Sequence, residues 1–148
     1  MEKQEIKSIG KWISILHRQA KIYLDDKLKP YGLNYSEYIS LVNLSAESDG
    51  NNQKHLSDIL VIDCALTTRA MKSLENKGYI IRKKSDTDKR ANRIRLTEKG
   101  IEMQPIILKV LENWTDIISE GMDEKEKGFI IQTLKSMSNR ALNETGRK

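Results

Sequence analysis

The stretch Ser85–Gly100 reads SDTDKRANRIRLTEKG, and its second half decides the fold. Arg93-Ile94-Arg95-Leu96 alternates basic and apolar residues with period two, the pattern of a half-buried strand. Ser85 to Asn92, ahead of it, is a polar loop, and Thr97 behind it is a helix N-cap followed by Glu98. Upstream, Tyr79-Ile80-Ile81-Arg82-Lys83-Lys84 reads as a strand that leaves an apolar interior and runs outward. Two strands joined by a charged loop make a hairpin with a strongly basic outer face.

The residues just before this hairpin read as helices. Lys77-Gly78 is a helix C-terminus, with the glycine suited to the left-handed conformation just past the last turn. The helix it ends runs from Cys64 to about Asn76, with Asp63 as N-cap and Leu66, Ala70, Met71 and Leu74 as its apolar stripe. A shorter helix, Gln53 to Leu60, precedes it with Leu56, Ile59 and Leu60 inward, and Val61 and Ile62 fall in the break. Helices joined by a turn of about three or four residues form a helix-turn-helix. With the basic hairpin attached, the expected unit is a winged helix-turn-helix.

The flanking segments are amphipathic helices. Ile6, Ile9, Ile13, Leu16, Ala20 and Leu24 form one stripe, flanked by Trp12 and Tyr23, which ends near Lys29 before Pro30 and Gly32. Asn34 and Glu37 can form a capping box for a short helix through Ile39, Leu41, Val42 and Leu44. That helix is expected to stop in the turn cluster Ser48–Asn52, around Gly50. After the hairpin, Met103, Ile107, Val110, Leu111, Trp114 and Ile118 mark a helix in which Pro105 predicts a bend or a slightly late start. Asp123 caps a last helix carrying Phe129, Ile130, Leu134, Met137 and Leu142.

The first and the last two helices have apolar stripes but no globular core of their own, so they are expected to be buried against another helix or another subunit. The fold class expected is mainly α with a small antiparallel β-hairpin wing, in one domain over 1–148. Its DNA-binding part spans about 33–98, and its dimerisation helices span about 4–29 and 97–143.

Composition narrows the partner. A chain of 148 residues with 38% apolar and 32% charged residues can bury one core and still leaves much surface to solvate. The formal net charge is +5. Arg82, Lys83, Lys84, Lys89, Arg90, Arg93, Arg95 and Lys99 cluster between Tyr79 and Lys99 against only Asp86, Asp88 and Glu98. The excess is therefore a local anion-binding surface. No apolar run approaches the roughly 20 residues of a membrane span, Met1-Glu2-Lys3-Gln4 opens no signal peptide, and the single Cys64 excludes an intramolecular disulfide. A cytoplasmic protein with no membrane partner is expected.

Enzyme chemistry finds no support: there is no nucleophile–base pair, no paired carboxylates in a plausible cleft and no phosphate-binding glycine loop. His17 and His55 stand apart without a CxxC pair, so neither a metal nor a cofactor is expected. Cys64 sits in the first turn of the proposed second helix of the motif, where the helix dipole favours a thiolate, but Asp63 opposes it. It reads as a small residue, not as a redox sensor.

In a helix-turn-helix the second helix enters the major groove with its N-terminal side chains near base edges. Here those are Ala65, Thr67, Thr68, Arg69 and Lys72: short side chains that allow close approach, and cations that reach guanine acceptors or phosphates. Asn52, Gln53, Lys54 and His55, at the start of the preceding helix, suit phosphate, as do Asn34, Ser36, Lys83 and Lys84. On the wing, Asp88, Lys89 and Arg90 form the tip, with Arg90 aimed at the minor groove and Asp88 bracing it, while Arg93 and Arg95 face the backbone. At helical spacing the aromatic residues Trp12, Tyr23, Tyr38 and Trp114 read as interface packing, and together with His17 they are, in the alternative reading, candidates for an effector pocket.

Asp88-Lys89-Arg90 followed by Ile94-Arg95-Leu96-Thr97-Glu98-Lys99-Gly100 resembles the wing signature of the MarR family of bacterial transcriptional regulators, D-x-R and then a strand with L-T-x-x-G. Thr68-Arg69 and Leu74-Glu75-Asn76-Lys77-Gly78-Tyr79-Ile80 are similar to that family's recognition helix and strand entry, and Gly32-Leu33-Asn34 matches the start of its second helix, with Asn34 where threonine is usual. The likeness spans nearly the whole chain. It implies a homodimer in which the first and last two helices interlock, bound to a pseudo-palindromic operator in double-stranded DNA, most often as a repressor. It also implies regulation by a small aromatic effector or by thiol oxidation, near the junction of the dimer and DNA-binding parts. The competing function is a winged-helix module for protein assembly or RNA contact, without operator readout.

Overall fold

The computed structural model describes residues 7–46, 51–52, 64–84 and 92–146. The chain forms α1 (Ile9–Leu28), a 3₁₀ turn (Lys29–Tyr31), α2 (Tyr35–Val42), β1 (Asn51–Asn52), α3 (Cys64–Asn76), β2 (Ile80–Lys84), β3 (Asn92–Leu96), α4 (Glu98–Ile118) and α5 (Glu124–Thr145). The helix expected over 53–60, the Asp63 cap, the turn at Gly50 and the wing tip with Asp88, Lys89 and Arg90 lie outside the described residues.

Helix starts follow their caps. The Asn34 side chain accepts from the Glu37 N–H at 3.0 Å while Glu37 Oε1 accepts from the Asn34 N–H at 3.1 Å, which closes the expected capping box on α2. Asp123 and Glu126 repeat that arrangement on α5. Thr97 Oγ1 accepts from the Gly100 N–H at 3.1 Å and starts α4. Helix α4 therefore begins at Glu98 and runs on through Pro105, so the late start expected there does not occur. Pro105 deprives the Ile101 carbonyl of its helical donor, but both residues face outward, where water can serve.

The end of α3 directs the chain into the sheet. Gly78, at φ 83°, donates to the Glu75 carbonyl at 3.0 Å, and the Tyr79 N–H donates to the Leu74 carbonyl at 3.0 Å. These are the paired bonds of a Schellman motif, with its apolar contact supplied by the buried Leu74 and Tyr79. Strands β2 and β3 then pair antiparallel in the register Ile80↔Leu96, Ile81↔Arg95, Arg82↔Ile94, Lys83↔Arg93 and Lys84↔Asn92.

One strand was not expected. Asn51–Asn52 forms β1 and pairs with β3 (Asn51↔Ile94, Asn52↔Arg93), giving a three-stranded sheet of order β1-β3-β2. Two asparagines carry no strand signal, and the pairing uses only backbone groups offered by the free edge of β3. Asn52 thus lies in a strand, not at the helix start assigned to it.

The core joins α1 to α4 and the sheet: Leu24 and Leu28, Tyr38 and Leu41, Met71 and Leu74, Ile80 and Ile94, Met103 and Ile107 are all buried. Helix α5 contributes no buried residue.

The chain is tightly packed where β3 turns into α4. Gly100 packs so closely against the preceding strand entry that a Cβ there would run into the Tyr79 carbonyl oxygen and meet Leu96 Cδ2 at 3.1 Å. The neighbour is backbone and cannot turn aside. Gly100→Ala should therefore destabilise the fold by about 1–3 kcal/mol, the scale of core overpacking, measurable as a lower midpoint in urea. An unchanged midpoint would show that the junction is looser than described.

Candidate nucleic-acid interface

Helix α3 divides cleanly into two faces. Ala70, Met71 and Leu74 are buried against the core, and Thr68, Arg69 and Lys72 point outward. Thr67 shares the inner stripe, one turn before Ala70 and Met71, and is completely buried. That corrects its assignment to the groove-facing set. The assignment rested on residue type, whereas the 3.6-residue period decides the face. Ala65 lies in the first turn of α3, with its side chain outside the described set.

The hairpin adds a second basic surface. Ile81, Lys83, Arg93 and Arg95 are exposed, and the register sets Lys83 directly across from Arg93 and Ile81 across from Arg95. Like charges directly opposite one another destabilise a sheet. No carboxylate forms an ion pair with Lys83, Arg93 or Arg95 among the described residues. A basic pair held in this way is suited to an external anion such as phosphate. Lys84 closes β2 and Asn52 closes β1, with their side chains outside the described set, and Gln53, Lys54 and His55 lie beyond it.

Arg82 behaves differently from its neighbours. It sits opposite the buried Ile94, and its guanidinium Nη2 donates to Glu75 Oε1 at 3.3 Å while its backbone N–H donates to Glu75 Oε2 at 3.2 Å. Glu75 lies in the last turn of α3, so this pair fixes the angle between the helix and the hairpin. The sequence offered only a basic residue seven positions after an acid, and neither its direction nor its partner was readable.

Helix α2 meets the other side of α3. Glu37, 1% exposed, accepts from Lys77 Nζ at 2.7 and 2.9 Å and from Ser73 Oγ at 2.9 Å. Asn34 and Ser36 flank this contact at the C-terminal end of α3, opposite the end that carries Thr68 and Arg69. The Asn34 side-chain oxygen, proposed for phosphate, serves inside the molecule as the cap of α2.

The five aromatic and histidine candidates for an effector pocket separate into distinct places. Tyr23 stacks obliquely on Trp114 with ring centres 5.2 Å apart, joining α1 to α4. His17 meets Tyr35 edge-on at 5.8 Å, and Tyr35 meets Tyr38 edge-on at 5.5 Å, joining α1 to α2. Tyr35 was missed by the sequence reading, although it stands beside the cap that reading identified. Trp12 is 54% exposed and stands apart. A cavity of about 590 Å³ opens between α1 and the start of α2, lined by Lys21, Asp25, Lys29, Asn34, Tyr35, Ser36, Glu37 and Lys77 among others, and none of the five candidates lines it.

Comparison with known proteins places this geometry. A family model described as Transcriptional regulator SarA/Rot matches residues 23–105. The HTH-type transcriptional regulator BilQ of Clostridioides difficile (strain CD3) is 29% identical over 133 residues, covering 88% of this chain and 87% of the relative. A MarR transcriptional regulator from Methanosarcina mazei Go1 superimposes with a TM-score of 0.83 at 37% identity, over 91% of this chain and 96% of that one. A putative MarR family regulator from Listeria monocytogenes, solved with a 26mer DNA, superimposes with a TM-score of 0.85 at 28% identity, over 97% and 98%.

Tyr38 has a pH-dependent consequence. It is fully buried, and its hydroxyl donates to Asp25 Oδ1 at 2.8 Å. Burial first, and then the hydrogen bond to Asp25 and its negative charge, hold the phenol well above its usual range. Because the folded value is raised above the unfolded one near 10, this contribution to stability is complete below about pH 10 and is lost as pH rises beyond it. Tyr38→Phe should cost about 1 kcal/mol at neutral pH yet lose stability less steeply from about pH 9 to about pH 11. Urea unfolding across that range checks this, and equal steepness in both proteins would refute it.

Proposed function

The chain belongs to the SarA/Rot family of MarR-like transcriptional regulators, and from that premise we propose that it is a homodimer binding a pseudo-palindromic operator in double-stranded DNA, acting as a repressor in the cytoplasm. The observation that carries this reading is the outward row Thr68, Arg69 and Lys72 on α3, held next to an exposed basic hairpin face by the Glu75–Arg82 pair. The helix face suits the major groove, and Lys83, Arg93 and Arg95 suit the flanking backbone. Arg90, in the wing signature beyond the described residues, is assigned to the minor groove with Asp88 as its brace.

The dimer reading is supported by apolar surface that a single chain leaves open. Ile9, Trp12, Ile13 and Leu16 on α1 are exposed, as are Phe129, Ile130, Ile131 and Leu134 on α5, with Phe129 74% accessible. Burying one such side chain yields about 1.5–3 kcal/mol. A helix of 22 residues without one buried side chain is stabilised by a partner face. A two-fold dimer pairs identical recognition helices with the half-sites of a palindrome. A small aromatic effector acting at the α1–α2 and α1–α4 aromatic contacts would alter the spacing of those helices.

Selection of bound duplexes from a random-sequence pool tests the reading. The selected duplex should outcompete a scrambled one at physiological salt, and Arg90→Ala should weaken its binding by about 1–3 kcal/mol, the scale of one lost groove contact. Equal affinity for both duplexes would favour an assembly or RNA-binding module instead. Truncation after Met122 removes α5 and should convert the dimer to a monomer in sedimentation velocity. A truncated chain that stays dimeric at micromolar concentration would contradict the assigned dimer face.

A further inference from the structure

Glu37 is a buried carboxylate that groove contact does not use. Such a group is costly to bury, and a well-packed apolar residue in its place is often no less stable. Its directional bonds are therefore better explained by what they position. Its oxygens accept from the Asn34 N–H at 3.1 Å, from Ser73 Oγ at 2.9 Å and from Lys77 Nζ at 2.7 and 2.9 Å. Lys77 also donates to the Gly32 carbonyl at 2.6 Å. Ser73, in the last turn of α3, and Lys77, just past its end, lie one turn apart on the same flank of its apolar stripe, so their shared bond to Glu37 holds that flank against α2 and resists rotation of the helix about its own axis.

The other contacts of α2 anchor it to the flanking helices. Tyr38 donates to Asp25 of α1, and Gln104 of α4 donates to the Leu41 and Leu44 carbonyls at 2.9 and 2.6 Å. Helix α2 is thus bonded to α1 and α4 by polar groups, and Glu37 carries that fixed orientation across to α3. A side-chain tip about 6 Å from a helix axis moves by about 2 Å for a 20° rotation, enough to break hydrogen bonds to a base edge.

We propose that Glu37, acting through Lys77 and Ser73, is a positioning residue that sets how sharply the outward face of α3 discriminates an operator from other DNA. This rests on the operator reading above. Phosphate contacts tolerate a rotated helix, whereas base contacts do not, so loss of the clamp erases preference and leaves sequence-independent binding in place.

The test uses the full-length protein, the duplex selected with the wild type and a scrambled duplex of equal length. The variants are Glu37→Gln, the double variant Glu37→Gln with Lys77→Met, which strands no charge, and the milder Ser73→Ala. Both duplexes are titrated with the same preparation, so the affinity ratio is insensitive to any unfolded fraction. That ratio should fall by roughly tenfold or more in the first two variants, the scale of losing one base contact, and by less in Ser73→Ala. Affinity for the scrambled duplex and its salt dependence should hold. A wild-type preference retained by all variants, even with lowered melting points, would overturn the proposal alone. No preference in the wild type would overturn the operator reading and this proposal with it.

Discussion

The structure depends on how the chain leaves helix α3 at Lys77-Gly78-Tyr79. Gly78 takes a left-handed conformation at φ 83°; the three carbonyls of the turn accept from Thr97 and Lys99 where β3 passes into α4, and the Lys77 and Tyr79 side chains reach other parts of the fold. Lys77 reaches α2 through Glu37, and its carbonyl accepts from Lys99 Nζ at 2.7 Å. The Gly78 carbonyl accepts from Thr97 Oγ1 at 2.6 Å, and the Tyr79 carbonyl accepts from the Thr97 N–H at 3.0 Å. Tyr79 donates from its hydroxyl to the Tyr31 carbonyl at 3.3 Å, and Lys99 Nζ lies 4.3 Å from its ring centre. One turn therefore joins α2, the sheet, α4 and the segment after α1. A backbone turn with this many partners has little freedom to shift without breaking several hydrogen bonds at once.

That junction holds two neighbouring surfaces in a fixed relation to each other. The outward side chains of α3 and the basic face of β2 and β3 emerge from opposite sides of the same turn, and Glu75–Arg82 braces them across the gap. The cross-strand pairing of Lys83 with Arg93 is unfavourable by itself and is tolerated because the junction and the buried Ile80 and Ile94 hold the strands. Positive charge held on a well-supported sheet, with no carboxylate paired to it among the described residues, suits an external anion. The apolar faces of α1 and α5 make the complementary point: they stay open in one chain, whereas α3 buries Thr67, Ala70, Met71 and Leu74 within it.

Much of this was legible in the residues. The hairpin, the boundaries of α3, the Asn34–Glu37 box, the Thr97 cap and the left-handed Gly78 all follow from local rules, and local rules are what a sequence shows directly. What was not legible is long-range or directional. Strand β1 comes from backbone pairing by two asparagines, which no side-chain pattern encodes. Thr67 was misassigned because its type suited DNA while its period placed it inside. Glu37 was read correctly as a cap, but its second partner lies forty residues away, beyond any local signal. The aromatic candidates share a residue class and not a location, so composition grouped what the fold separates.

The central claim is that the outward face of α3 and the hairpin together form the DNA surface while α5 serves the partner subunit. Amide hydrogen exchange with and without a saturating selected duplex measures this most directly. Added protection should fall on the first half of α3 and on β2 and β3, with α5 already protected in the free dimer and unchanged by DNA. Protection gained on α4 and α5, with α3 and the hairpin unaffected, would contradict the account.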